Sequence, residues 1–329
     1  MGLFQIGYRR YEGRLTSQRL RWLPITRTGI RIALRSKLLR WIGGSSFLPI
    51  LYFAPAFFLI GRLTDPETAN TTYLDIARAF LGPELTDRLH ENPAGLRTAV
   101  WSAVFAGFGT QYQLWMVAIV TTIVGPALIS NDIRSRSFLI YFARPLSRMD
   151  YVLGKTGTLV VVLAGVTLLP SIFLYAISIL FSPSLGTVLQ TASVAVAIVL
   201  ASLGTIIPVA LVMMTLSSIF RQPRFAAAAW IVLCLFGSIA HSLLQQTYGL
   251  HGSKWTFLLS PAETIRTFQL GIYGVRDKLI PLGLDSSLPL ELDSLTSSDS
   301  TGTAAIWLVF VSATSLFILL RRVEAPTRI

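Results

Sequence analysis

Residues 156–220 read TGTLVVVLAGVTLLPSIFLYAISILFSPSLGTVLQTASVAVAIVLASLGTIIPVALVMMTLSSIF, 65 positions without one Asp, Glu, Lys or Arg. A helix rises about 1.5 Å per residue, and about 20 apolar residues cross the roughly 30 Å of hydrocarbon in a bilayer. The block is too long for one crossing and fits two. Its middle, Phe181-Ser-Pro-Ser-Leu-Gly186, supplies the turn between them. Backbone groups in lipid must pair within the chain, so each crossing reads as a helix.

Four more stretches lack charge over more than 20 residues: 41–61, 98–131, 225–253 and 300–320. The chain of 329 residues is 53% hydrophobic and only 13% charged, against about 25% charged in soluble domains. Its mean hydropathy is +0.62. These values exclude an ordinary soluble enzyme, a disordered chain and a collagen-like one. Ten-residue alternating strands are absent. The expected fold is all-α: a polytopic membrane protein with six transmembrane helices near 42–61, 109–130, 157–181, 188–216, 225–244 and 304–320.

Six crossings put both termini on one side. That side would carry residues 1–41, 132–155, the link Arg221-Gln-Pro-Arg224 and the tail 321–329, with 20 basic and 4 acidic residues. The other would carry 62–97 and 254–299, with 8 basic and 12 acidic. Lys and Arg accumulate on the cytoplasmic side, so both termini are expected there. The chain then divides into a basic segment 1–41, a six-helix domain 42–320 and a tail 321–329. The isoelectric point near 10.3 follows from this topology signal and from contacts with anionic headgroups, not from nucleic-acid binding.

Before the first crossing, Ile30, Leu34, Leu38 and Trp41 recur at helical spacing beside a stripe of Arg27, Arg31 and Arg35. This predicts an amphipathic helix in the cytoplasmic interface. Prolines 49, 55, 126, 170 and 208 fall inside spans and read as packing kinks. Ser193, Ala197, Ala201 and Thr205 form a small-residue stripe suited to close helix approach within the chain. Residues 62–108 and 245–303 are expected to lie outside the bundle, with 101–108 dipping into the membrane.

Catalytic signals are poor. His90-Glu91 begins no zinc motif, because position 94 is Ala. No Cys or His cluster has metal spacing, no cofactor motif is present, and the one cysteine, Cys234, lies inside the fifth span. Gly154-Lys155-Thr156 is not a phosphate loop, since the glycine required upstream is Met149 and no strand precedes it. No charged residue falls within the six predicted spans, which weighs against a proton-coupled secondary transporter.

The informative segment is 132–155. Asp132, Arg134, Arg136, Phe138, Leu139, Phe142, Arg144, Pro145 and Arg148 alternate charge with an apolar plug, which suits a short helix gripped by a cytoplasmic protein. Asp132, Leu139-Ile140, Pro145 to Arg148, Tyr151 and Gly154-Lys155 stand in an order that resembles the type-2 ABC transporter permeases. Leu259-Ser-Pro-Ala-Glu-Thr-Ile-Arg266 before the last span is similar to that family's Asn-Pro-x-Glu-x-x-Arg, with Ser260 at the Asn position. The resemblance implies a permease subunit in a prokaryotic plasma membrane, a second permease chain, a separate cytoplasmic ATPase that docks on 132–155, and no nucleotide site in this chain. Alternatives are a secondary transporter or channel without an ATPase, and a membrane-embedded enzyme of lipid metabolism. The substrate is not legible.

Overall fold

A computed structural model describes residues 20–63, 71–83, 86–87, 89, 93–136, 146–182, 186–252, 255–279 and 298–324. Among these there is no strand. Six helical segments are long and apolar enough to cross a membrane: Lys37–Leu63, Leu96–Arg134, Arg148–Leu180, Ala192–Ile219, Pro223–Thr247 and Ser300–Val323. Six candidate spans, as the uncharged blocks predicted, fit a multi-pass membrane protein. The second span is the one whose bounds move most: it begins at Leu96, not near 109, so 101–108 is part of that candidate span.

In chain order, α1 is Leu23–Arg35 and α2 is Lys37–Ser45. The break between them is Ser36, whose extended backbone and side chain cap α2 by accepting from Leu39 N–H. The first span continues through α3, Ile50–Leu63. After α4, Thr71–Leu81, the second span comprises α5, Pro93–Gly107, a π-helical turn Phe108–Gln113, and α6, Leu114–Arg134. The third span is α7, Arg148–Val166, and α8, Leu168–Leu180. Its joint at Thr167 lies three residues before Pro170, where the missing N–H and the ring disturb the ladder. Then follow α9, Gly186–Gln190, α10, Ala192–Ile219, and α11, Pro223–Gly252. Next come α12, Pro261–Tyr273, α13, Val275–Leu279, and α14, Ser298–Glu324.

The fourth span, α10, is the axis of the bundle: 56% of its apolar window is buried, against 11% for the fifth span. Ala197, Ala201 and Thr205 are buried along it, so three positions of the small-residue stripe serve packing within the chain, whereas Ser193 is exposed. Serines join the second span to the fourth. Ser217 Oγ donates to Pro126 O at 2.7 Å and accepts from the N–H groups of Ile129 and Ser130, while Ser130 Oγ donates to Ser217 O at 2.8 Å. Thr215 Oγ1 donates to Ser315 O at 2.8 Å and ties the fourth span to the sixth.

The apolar core falls into two clusters stacked along the bundle. One holds Phe57, Trp101, Phe105, Phe108, Leu174, Val194 and Ile198. The other, nearer the basic end where α1 and the 132–155 segment meet, holds Val117, Ile129, Leu159, Leu163, Ile206, Met213 and Ile265.

One expectation is corrected here. Residues 245–303 do not lie wholly outside the bundle. The chain returns along the fifth span, where Ser260 Oγ sits 3.2 Å from Ser238 Oγ, and α12 then packs among the fourth, fifth and sixth spans. Glycines permit this approach: a Cβ on Gly237 would stand 2.6 Å from Leu259 O, and Gly204 faces the Phe268 ring.

Candidate functional site: a basic-end clamp and a polar layer inside the bundle

The 132–155 segment leaves α6 and re-enters at α7. Asp132, Arg134 and Arg148 lie on those helix ends. Arg136 follows α6 with φ of +53°, a left-handed stop that a glycine usually provides. Arg134, Arg136 and Arg148 are exposed. Phe138, Leu139, Phe142, Arg144 and Pro145 lie outside the described residues.

The two ends of the segment are clamped together. Tyr151 Oη donates to Asp132 Oδ2 at 2.7 Å, and Lys155 Nζ lies 2.6 Å from the same oxygen. The Asp132 and Lys155 side chains are each 14% exposed. Lys155 Nζ also stands 5.7 Å from the Tyr151 ring centre, within cation–π range. One carboxylate oxygen thus receives two donors from successive turns of one face of α7, at i and i+4. Beneath, Ser147 caps α7 reciprocally: its Oγ accepts from Asp150 N–H at 3.1 Å, and Asp150 Oδ2 accepts from Ser147 N–H at 3.1 Å.

The clamp continues into α1. Thr26 Oγ1 donates to Gly154 O at 2.9 Å, the carbonyl one residue before Lys155. A Cβ on Gly154 would stand 2.7 Å from Ile25 Cβ, and one on Gly157 would stand 3.0 Å from Thr26 Oγ1. Gly154 is therefore a packing glycine between two helices. Of the apolar stripe, Leu34, Leu38 and Trp41 point outward, with Trp41 79% exposed.

Between the two apolar clusters lies a layer of uncharged polar side chains. Gln113 Nε2 donates to Thr167 O and to Ser171 Oγ, each at 2.8 Å. Gln269 Nε2 donates to Thr205 Oγ1 at 2.8 Å, and Thr205 Oγ1 donates onward to Ala201 O. Gln269 is 3% exposed and its Oε1 has no hydrogen-bond partner. That oxygen lies against Gly109 in the π turn, where a Cβ would stand 3.0 Å away. The layer joins the second, third and fourth spans to α12. Sequence reading missed it because glutamine and threonine scattered between positions 113 and 269 carry no local motif.

The phrase 259–266 acquires a structural meaning. Ser260 caps α12, its Oγ accepting from Glu263 N–H at 3.3 Å, and Pro261 occupies the first turn. Glu263 Oε2 and Arg266 Nη1 are 3.7 Å apart, with side chains 27% and 22% exposed. The uncharged blocks hold no Asp, Glu, Lys or Arg, yet α12 carries a charged pair into the bundle. Insertion scales put a charge at a helix centre at about 2.5–3.5 kcal/mol.

Among the described residues no group of three His, Cys, Asp or Glu could hold a metal ion. No family model matches the chain, and no curated protein matches it either.

Proposed function

We propose that the chain is the membrane-spanning permease subunit of an ATP-binding cassette transporter. In this reading it pairs with a second permease chain and draws energy from a separate cytoplasmic ATPase. It sits in a prokaryotic plasma membrane with both termini cytoplasmic, and the Arg-rich side of α1 rests in the headgroups.

The observation that supports this most is the Asp132–Tyr151–Lys155 clamp. A partner that pushes on a loop moves a helix bundle only if the ends of the loop are rigid. Here the loop ends are joined by two charge-assisted hydrogen bonds, and Gly154 passes the joint to α1. The order of Asp132, Pro145, Tyr151 and Gly154-Lys155 along the chain supports it as well.

The test is copurification of an ATPase subunit from the native membrane, followed by Phe138→Ala and Phe142→Ala. Aromatic anchors of an interface lose about 2 kcal/mol or more on truncation. Recovery of the ATPase should fall while the chain still inserts. Unchanged recovery with unchanged transport removes the coupling role, and absence of any ATPase partner favours a secondary transporter or channel. Cysteine labels at residues 20 and 221 should react from the cytoplasm and one at 75 from outside; the opposite pattern removes the orientation.

A further inference from the structure

The Glu263–Arg266 pair sits where hydrocarbon would be expected. Ser260 meets Ser238, 15 residues from the start of the fifth span at Pro223, which is about 22 Å along a helix. Gln269 meets Thr205, 13 residues from the start of the fourth span at Ala192 and 14 from its end at Ile219. The pair lies between these two contacts, and Ile265 between its members is buried in the basic-end cluster. One side of α12, with Thr264, Ile265 and Gln269, is packed into the bundle. Ala262, Glu263, Arg266 and Thr267 remain partly open on the other.

Charges at such depth do not rest against acyl chains. They face water or protein. The bundle covers about three quarters of each side chain and leaves about a quarter of each open. We propose that this face of α12 lines a water-filled path halfway through the membrane, and that the solute using it is hydrophilic, carrying hydrogen-bonding or charged groups that Glu263 and Arg266 meet. This rests on the transporter reading and narrows its substrate class.

The test needs no ATPase and no known substrate. In a Cys234→Ser background, single cysteines are placed by Glu263→Cys, by Thr267→Cys, which leaves the ion pair intact, and by Leu235→Cys. Leu235 is an exposed control on the fifth span at similar depth. Proteoliposomes are treated with a charged methanethiosulfonate or with N-ethylmaleimide, and total thiol is counted in denaturant. The cysteines at 263 and 267 should react with the charged reagent about tenfold or more faster than that at 235, because thiolates do not form in hydrocarbon. Glu263→Leu with Arg266→Leu should return the cysteine at 267 to the rate of the control. Reaction with N-ethylmaleimide alone would mean that a small neutral reagent reaches the face and a charged one does not. Reaction with neither reagent would place it against lipid or protein, and labelling that survives the double leucine change would remove the pair from the path. Each of these three outcomes overturns the proposal, and none depends on whether an ATPase copurifies.

Discussion

The clamp at the basic end allows a quantitative test. Asp132→Asn keeps an acceptor for Tyr151 but removes the negative charge 2.6 Å from Lys155 Nζ. At an effective dielectric constant of 20, two unit charges at that distance attract by about 6 kcal/mol. Desolvation offsets most of this, since each side chain is 14% exposed. A hydrogen bond to a charged group contributes about 1.5–3 kcal/mol net. The expected loss is therefore about 2 kcal/mol, roughly a 30-fold change in the unfolding equilibrium. Lys155→Met should lose a similar amount. The double variant should lose little more than either alone, giving a coupling energy of about 2 kcal/mol. Tyr151→Phe should lose about 1 kcal/mol. Unfolding in mixed micelles by a denaturing detergent, followed by circular dichroism, reads all four. A coupling energy below about 0.5 kcal/mol would refute the clamp as an energetic joint and leave it a surface contact.

Three further outcomes follow from packing and charge. Gly154→Val should push Ile25 away and loosen α1, costing about 1–3 kcal/mol and exposing the 20–36 region to protease; an unchanged cleavage pattern would contradict the packing role. Gln269→Leu deletes an acceptor that has no partner together with one hydrogen bond, so stability should stay within about 1 kcal/mol of wild type, whereas Thr205→Val, which strands the Gln269 amide, should cost about 1–3 kcal/mol; the reverse order in the same detergent titration would count against the unsatisfied oxygen. Burial lowers the pKa of the Lys278 ammonium, which donates to Ser102 Oγ and Tyr273 O, so the folded state holds this proton less tightly than the unfolded chain. Stability should then rise as pH climbs from the lowered folded value towards the ordinary lysine value near 10.4, and Lys278→Met should flatten that rise; equal slopes for the two proteins would exclude the effect.

The pieces that were legible in the chain are those with local causes. Phe181-Ser-Pro-Ser-Leu-Gly186 reads as the turn inside the double-length block, and the third span ends at Leu180 and the fourth begins at Ala192. At Gly154-Lys155 the structure uses the glycine for close packing against α1 and the lysine for an ion pair. Other features were hidden. Residues 101–108 looked like a separate dip because the uncharged block 98–131 is longer than the roughly 20 residues one crossing needs, yet the helix continues through a π turn at Phe108–Gln113. Arg97 is carried at the end of that span by Thr187 Oγ1 at 3.1 Å and Gln190 Oε1 at 3.3 Å, two acceptors some 90 positions away.

The number of candidate spans was legible in the sequence alone, because transfer of a side chain from water to hydrocarbon depends on the residue and its near neighbours. Five uncharged blocks, one of double length, are sufficient to count six helices. Tertiary structure alone decided that α12 returns into the bundle, that Asp132 meets Tyr151 and Lys155, and that Gln113, Thr167, Ser171, Thr205 and Gln269 share one layer. A hydrogen bond or ion pair depends on which distant groups arrive within about 3 Å of each other, and helical periodicity carries no record of that.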